Sequence, residues 1–163
     1  MVIGNGDIAN VLNVRDNPSV TYFASGVSNS QCDDPKEFQR EIDLLKSIKS
    51  SHLVYFSSIS IYEKDTPYTQ HKIHMEAIVR LYFPIYTIIR LGNITWGDNP
   101  NTIINYLKRT KTPEIRNEFK HICTLADFYY WIDNIPKFST EMNITGERVH
   151  MVELYNRVKN KRI

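Results

Sequence analysis

The sequence predicts an α/β fold in three layers, a parallel sheet with helices packed on both faces. Three observations predict it. Short apolar runs rich in β-branched and aromatic residues alternate with segments of helical period. Each run stops at small or polar residues that suit tight turns. The chain is 163 residues long and 42% hydrophobic, enough for one domain with a real core.

The elements follow in order. Val2-Ile3 is a very short apolar start, followed by Gly4-Asn5-Gly6. Ile8 to Val14 suits a short helix, ended by a turn at Asp16-Asn17-Pro18. Val20 to Ala24 reads as a buried strand, with Ser25-Gly26 as its turn. Asp34-Pro35 opens a helix whose apolar stripe is Phe38, Ile42, Leu45 and Ile48. His52 to Phe56 is the next strand, ending in Ser57-Ser58-Ile59-Ser60. Thr66 suits an N-cap and Pro67 a first helical position, and Pro84 ends that helix. Tyr86 to Leu91 is a third buried strand. Shorter helices are expected near Thr102–Arg109, Leu125–Asn134 and Met151–Lys159. Strands and helices that alternate in this way imply parallel strands joined by right-handed crossovers. Ligands in such sheets sit at the carboxyl ends of the strands. Gly4–Gly6, Ser25-Gly26, Ser57-Ser58 and Gly92-Asn93 all fall there and should line one crevice.

Composition narrows the classes. A net charge of +2 is too small to argue for nucleic acid. The basic residues Arg157, Lys159, Lys161 and Arg162 close a helix, where cations suit the macrodipole. Cys32 and Cys123 form no disulfide framework, and no secretory signal is evident, so a cytoplasmic protein is expected. The longest apolar stretch, Ile78 to Gly92, contains Arg80, Pro84 and Arg90 and is unsuited to a membrane.

The strongest local signal is Tyr68-Thr69-Gln70-His71-Lys72. Residues four apart share one helix face, so a phenol and an ammonium stand together. A nearby cation favours the phenolate and lowers the phenol's pKa from about 10. A hydroxyl from Ser57 or Ser58 could hold a substrate oxygen beside them, which makes an acid/base device for alcohol–ketone interconversion. Gly4-Asn5-Gly6-Asp7-Ile8-Ala9 is a Gly-x-Gly-x-x-Ala turn, of the kind whose backbone amides approach a pyrophosphate. Asp7 would repel that group unless it turns aside. His71, His74 and Glu76 give no metal-ligand pattern, and His71 is expected to face solvent.

Leu53 to Tyr62 and Thr66 to Glu76 together resemble the core of the extended short-chain dehydrogenase/reductase family, the nucleotide-sugar epimerases, dehydratases and reductases. The shared pattern is a strand ending in Ser-Ser, an Ile-Tyr, then Pro-Tyr-x-x-x-Lys. Ile89-Arg90-Leu91-Gly92-Asn93 is similar to that family's next strand and its Arg-x-x-Asn end. Arg116 to Asp127 and Met142 to Leu154 resemble its later segments. The resemblance implies a Rossmann-like fold with Tyr68 as catalytic acid/base, Ser58 as the catalytic hydroxyl, and Lys72 holding the nicotinamide ribose and tuning Tyr68. It implies a cofactor, NAD or NADP, lined by Gly4, Asn5, Gly6, Ile8, Ser25, Lys72 and Leu91. Ser60, Asn93 and Arg116 would meet a nucleotide-sugar substrate. A homodimer through helices 34–50 and 67–83 is implied as well.

One part of the pattern is missing. The stretch Val20 to Gly26 resembles the family's fourth strand rather than its second. No Asp, Glu or Arg lies between Tyr22 and Ser30, where an acidic residue would hold the adenosine ribose. Two strands and their helices are absent from the cofactor half, which should leave Val2-Ile3 at a sheet edge. Residues 1–95 are then the cofactor and catalytic core, and 96–163 a small substrate-side cap, within one reduced domain. The alternative to an enzyme is a relative that binds a nucleotide or a protein partner without turnover.

Overall fold

A computed structural model describes residues 1–15 and 17–163; Asp16, in the turn expected after the first helix, lies outside the described residues. Five strands form the main sheet: β1 (Val2–Ile3), β2 (Thr21–Phe23), β3 (Leu53–Ser58), β4 (Tyr86–Leu91) and β7 (Thr140–Ile144), in that spatial order and all parallel. A smaller sheet orders β5 (Asn93–Ile94), β6 (Phe119–Cys123) and β8 (Glu147–His150), with β6 and β8 antiparallel. The helices are α1 (Asp7–Leu12), α2 (Pro35–Ser47), α3 (Pro67–Tyr82), α4 (Ile103–Arg109), α5 (Leu125–Asp133) and α6 (Met151–Lys159).

Local chemistry sets the starts of the two long helices. The Asp34 carboxylate caps α2 by accepting the Lys36 N–H at 2.9 Å, with Pro35 in the first turn. Thr66 and Thr69 cap α3 reciprocally: the Thr69 N–H reaches the Thr66 hydroxyl at 3.2 Å, and the Thr66 N–H reaches the Thr69 hydroxyl at 2.9 Å. Pro67 opens the helix without leaving a donor unpaired.

Strand alternation divides the core. Tyr22, Val54, Phe56 and Ile89 pack on one face against Leu12 of α1 and Phe128 and Ile132 of α5. Phe23, Leu53, Tyr55 and Ile88 pack on the other, against Leu45 of α2 and Met75, Ile78 and Val79 of α3. A third cluster, including Ile104, Leu107, Ile122, Val149 and Leu154, joins α4 and α6 to the small sheet.

This division corrects one expectation. Strands β1 to β4 advance in one direction across the sheet, yet α1 lies on the face opposite α2 and α3. The β1–α1–β2 connection therefore has the opposite hand to those through α2 and α3, so the three cannot all be right-handed. Contact with α5 is what holds α1 there. Its carbonyl at Val11 accepts the Tyr129 hydroxyl at 3.3 Å, and the Arg15 guanidinium, just beyond it, lies 3.9 Å from the Tyr129 ring centroid. Among the described residues β1 pairs only with β2 and is an edge strand, as the missing segment implies. Strands β5, β6, β7 and β8 were not anticipated from the sequence as strands.

A partly buried ionic network ties α3, β4 and β7 together. Arg90 reaches Glu76 at 2.9 and 2.6 Å and Glu141 at 2.6 Å, while Arg80 reaches both carboxylates.

Candidate active site

The carboxyl ends of β1 to β4 enclose a crevice of about 590 Å³. Asn5, Gly6, Ser25, Gly26, Ser57, Ser58, Gly92 and Asn93 all line it, so the strand-end turns do converge. Ile8 and Leu91 line it too. Gly4 does not: at φ +133° its α-carbon faces β2, and a Cβ there would collide with the Ala24 carbonyl.

Tyr68, in the first turn of α3, and Ser58, the last residue of β3, share this crevice with Lys72. Tyr68 is buried at 7% exposure, and its hydroxyl makes no hydrogen bond among the described residues. The Ser58 hydroxyl lies 2.7 Å from that of Ser60 and accepts the Ser60 N–H at 3.2 Å. Ser57, the other hydroxyl the sequence offered, is placed differently. Its hydroxyl is buried, lines the crevice and has no partner among the described residues.

Lys72 sits deeper than the pattern alone implies, at 2% exposure. Its ammonium lies 3.1 Å from the Glu41 carboxylate, 3.2 Å from the Tyr55 hydroxyl and 5.7 Å from the Tyr68 ring centroid. Glu41 also accepts the Tyr55 hydroxyl at 2.8 Å, His71 Nε2 at 3.0 Å and the Val27 N–H at 2.7 Å. Burial pushes the Glu41 carboxyl up, but Lys72, His71 and the Val27 amide outweigh it and hold its pKa at about 2. Burial and the Glu41 charge push the Tyr55 hydroxyl well above its ordinary value, so it stays protonated. His71 is buried at 6% exposure and stacks on Phe38 with centroids 4.3 Å apart, which corrects the expectation of a solvent-facing ring.

The substrate-side candidates fall in an adjoining hollow of about 420 Å³, which shares Ser58, Tyr68 and Asn93 with the crevice. Ser60 and Arg116 line this hollow. Asn93 spends its side-chain N–H₂ on the His121 carbonyl at 3.0 Å. Arg116 is exposed and pairs with Glu114 at 3.0 Å, so it stands at the rim. Asp7 lines the crevice, but its carboxylate is already engaged. Its oxygens accept the N–H groups of Asp98 and Asn99, in the loop after β5.

Glu41 and Tyr55 escaped the sequence reading. Glu41 did leave a signal, because it breaks the apolar stripe between Phe38 and Leu45, where a lone carboxylate needs a buried partner.

By sequence, the chain matches no family model and no curated protein. By structure it is similar to several solved enzymes. The Bordetella bronchiseptica enzyme WbmG, solved with NAD and UDP, superposes at TM-score 0.70 and 15% identity, over 88% of this chain and 56% of that one. UDP-glucuronic acid 4-epimerase from Bacillus cereus, solved with UDP-glucuronic acid and NAD, gives 0.67 and 15% over 96% of this chain and 62% of its own. UDP-N-acetylglucosamine 4-epimerase from Methanobrevibacter ruminantium M1 gives 0.64 and 10% over 93% and 63%. The chain thus shares a reduced Rossmann-like fold with these structures and spans about three fifths of their length. No helix among the described residues is long and apolar enough to cross a membrane.

Proposed function

We propose that this chain is an NAD(P)-dependent oxidoreductase or epimerase of the short-chain dehydrogenase/reductase type, acting on a nucleotide-activated sugar. The observation that carries the reading is that Ser58, Tyr68 and Lys72 line one crevice at the carboxyl ends of a parallel sheet. The nicotinamide end of the cofactor fits there: the orphaned Ser57 hydroxyl supplies an unused polar partner, and Gly6 leaves open space where a side chain would stand. When bound, the cofactor would supply hydride transfer to and from a sugar carbon. Tyr68 moves the proton on the reacting oxygen, and Ser58 holds that oxygen by a hydrogen bond. The Lys72 ammonium, 5.7 Å from the Tyr68 ring centroid, sets a positive charge beside that phenol. Residues 1–95 carry this chemistry, and Ser60, Asn93 and Arg116 of the adjoining hollow meet the nucleotide sugar.

A second reading, ligand binding without turnover, has an observation of its own. β1 is an edge strand, so nothing among the described residues flanks it where adenosine would rest. One titration separates the two. Saturable binding of NADH or NADPH, weakened by Lys72→Ala, together with turnover of a UDP-sugar abolished by Tyr68→Phe, supports the enzyme. Binding of a UDP-sugar with no binding of either cofactor at millimolar concentration supports the second reading.

The same reading includes a homodimer through α2 and α3. Ile73, Ala77 and Leu81 form an exposed stripe on α3, one turn apart.

A further inference from the structure

Four donors converge on the Glu41 carboxylate from three parts of the chain. Tyr55 comes from β3, His71 and Lys72 from α3, and the Val27 amide from the loop after β2. The carboxylate itself has no exposure. Tyr55 donates to Glu41 and accepts from Lys72, so carboxylate, phenol and ammonium close a ring of hydrogen bonds. An ammonium carries three N–H groups. Glu41, through both oxygens at 3.1 and 3.5 Å, and Tyr55, at 3.2 Å, are its acceptors among the described residues, and both lie on the side away from the crevice that Lys72 also lines. Gly26 lies directly against the pair: a Cβ there would stand 2.7 Å from Lys72 Nζ and 2.9 Å from a Glu41 oxygen. The pair therefore sits immediately behind the crevice wall.

A buried ammonium without a counter-charge sheds its proton. Glu41 supplies Lys72 with that counter-charge at 3.1 Å, and together with the Tyr55 hydroxyl it fixes the direction of the ammonium. Through the Val27 N–H the same carboxylate fastens the loop whose residues Ser25 and Ser28 line the crevice.

We propose that Glu41 is the positioning residue of this site. It is the counter-charge that holds Lys72 and turns its ammonium toward the ligand, and it anchors the 25–30 loop in the same act. This rests on the reading above only in that Lys72 serves a ligand.

The test follows NADH affinity from pH 6 to pH 9 in the wild type, Glu41→Gln and Tyr55→Phe. Wild type and Tyr55→Phe should hold a flat profile. Glu41→Gln should bind nearly normally at pH 6 and lose tenfold or more by pH 9, as Lys72 loses its proton. A flat profile for Glu41→Gln, or an equal loss at every pH, overturns the proposal, because a merely structural role would not track pH. A second measurement needs no ligand. Acetic anhydride modifies only neutral amines, and mass mapping gives the rate at Lys72. At pH 8 that rate should rise at least tenfold in Glu41→Gln, and equal rates overturn the proposal even if NADH binds neither protein. In that event the failed binding counts against the cofactor reading, and the labelling rates alone decide the role of Glu41. Should Glu41→Gln not fold, Glu41→Asp serves, with a smaller rise in the Lys72 rate expected and no rise refuting it.

Discussion

Asp7 and Asn99 stand far apart in sequence, yet the Asp7 carboxylate accepts the Asn99 backbone N–H at 3.0 Å. Its other oxygen accepts the Asp98 N–H at 3.1 Å. Together they clamp the first turn of α1 to the loop that closes one side of the crevice, where Asn99 and Pro100 are lining residues. The carboxylate that a pyrophosphate would have met is thus committed to backbone amides. Asp7→Ala should free both amides, and hydrogen exchange at Asp98 and Asn99 should lose protection while β3 and β4 keep theirs. The expected loss of stability is about 1–2 kcal/mol, since the acceptor is charged but the site is partly wet. Gly97, at φ +84°, has room for no Cβ against the Asp7 carboxylate, so Gly97→Ala should open the same loop. Unchanged exchange in both variants would contradict the clamp.

The Glu76–Arg90 pair makes a different demand. Glu76 is 2% exposed and Arg90 9%, so removing Glu76 strips the buried Arg90 of two of its carboxylate hydrogen bonds and leaves Glu141 alone between two arginines. Glu76→Ala should cost about 3–5 kcal/mol in denaturant unfolding. Arg80 cannot compensate, because it is a second cation on the same carboxylates. Replacing both members with apolar residues should cost much less, since no unpaired charge remains. If the single and double variants unfold alike, the ion pair is not what the network supplies.

Acid should find the same groups. The Arg80 hydrogen bond and the Arg90 guanidinium hold the Glu141 carboxyl at about 2, against burial, and Glu41 is held at about 2 as well, both from an ordinary value of 4.5. The folded values lie below the unfolded ones. Their contribution is therefore complete above about pH 4.5 and is lost as pH falls toward 2. Thermal midpoints should be level from pH 5 to 7 and fall steeply below 4.5. Glu41→Gln and Glu141→Gln should each start lower and show a shallower fall, and parallel curves would refute the assignment.

Much of this was legible because it is local. Thr66-Pro67 and Asp34-Pro35 announce helix starts through single side chains and one fixed dihedral, and both helices begin there. The runs at 20–24, 52–56 and 86–91 declare strands through composition alone. The four strand-end turns were placed in one crevice by a rule of parallel sheets, and they line it. What escaped depends on distant partners. β5 has two residues, and its pairing with Ile122 and Cys123 has no local signature. The side chosen by α1 is decided by Tyr129 and Phe128, residues more than a hundred positions away. Lys72 reads as a free helical cation until Glu41, on another helix, is found beneath it.

Gly26 offers a small change with a large reach. Alanine there would push its methyl against the Lys72 ammonium and the Glu41 oxygen, both with little room to retreat. Gly26→Ala should destabilise the protein by about 1–3 kcal/mol, as overpacking does. It should also weaken NADH or UDP-sugar binding by a factor larger than Ser28→Ala, another change in the same loop. Equal effects of the two substitutions would mean that the pair behind Gly26 is irrelevant to the site.

The exposed stripe on α3 bears on assembly. Leu81 is 80% exposed, Tyr82 52% and Ile73 43%, and Lys46 of α2 lies 5.3 Å from the Tyr82 ring centroid, so this face of α3 adjoins α2. Such side chains gain about 25 cal/mol for each Å² of apolar surface removed from water. Within one chain they contribute little, so a charge placed there tests association without touching the core. The wild type should sediment as a dimer at micromolar concentration. Leu81→Asp and Ile73→Asp should sediment as monomers, with unfolding midpoints extrapolated to low protein concentration close to that of the wild type. A wild type that sediments as a monomer across that range removes the helix pair as an interface. A dimer that survives both substitutions places the contact elsewhere on the surface.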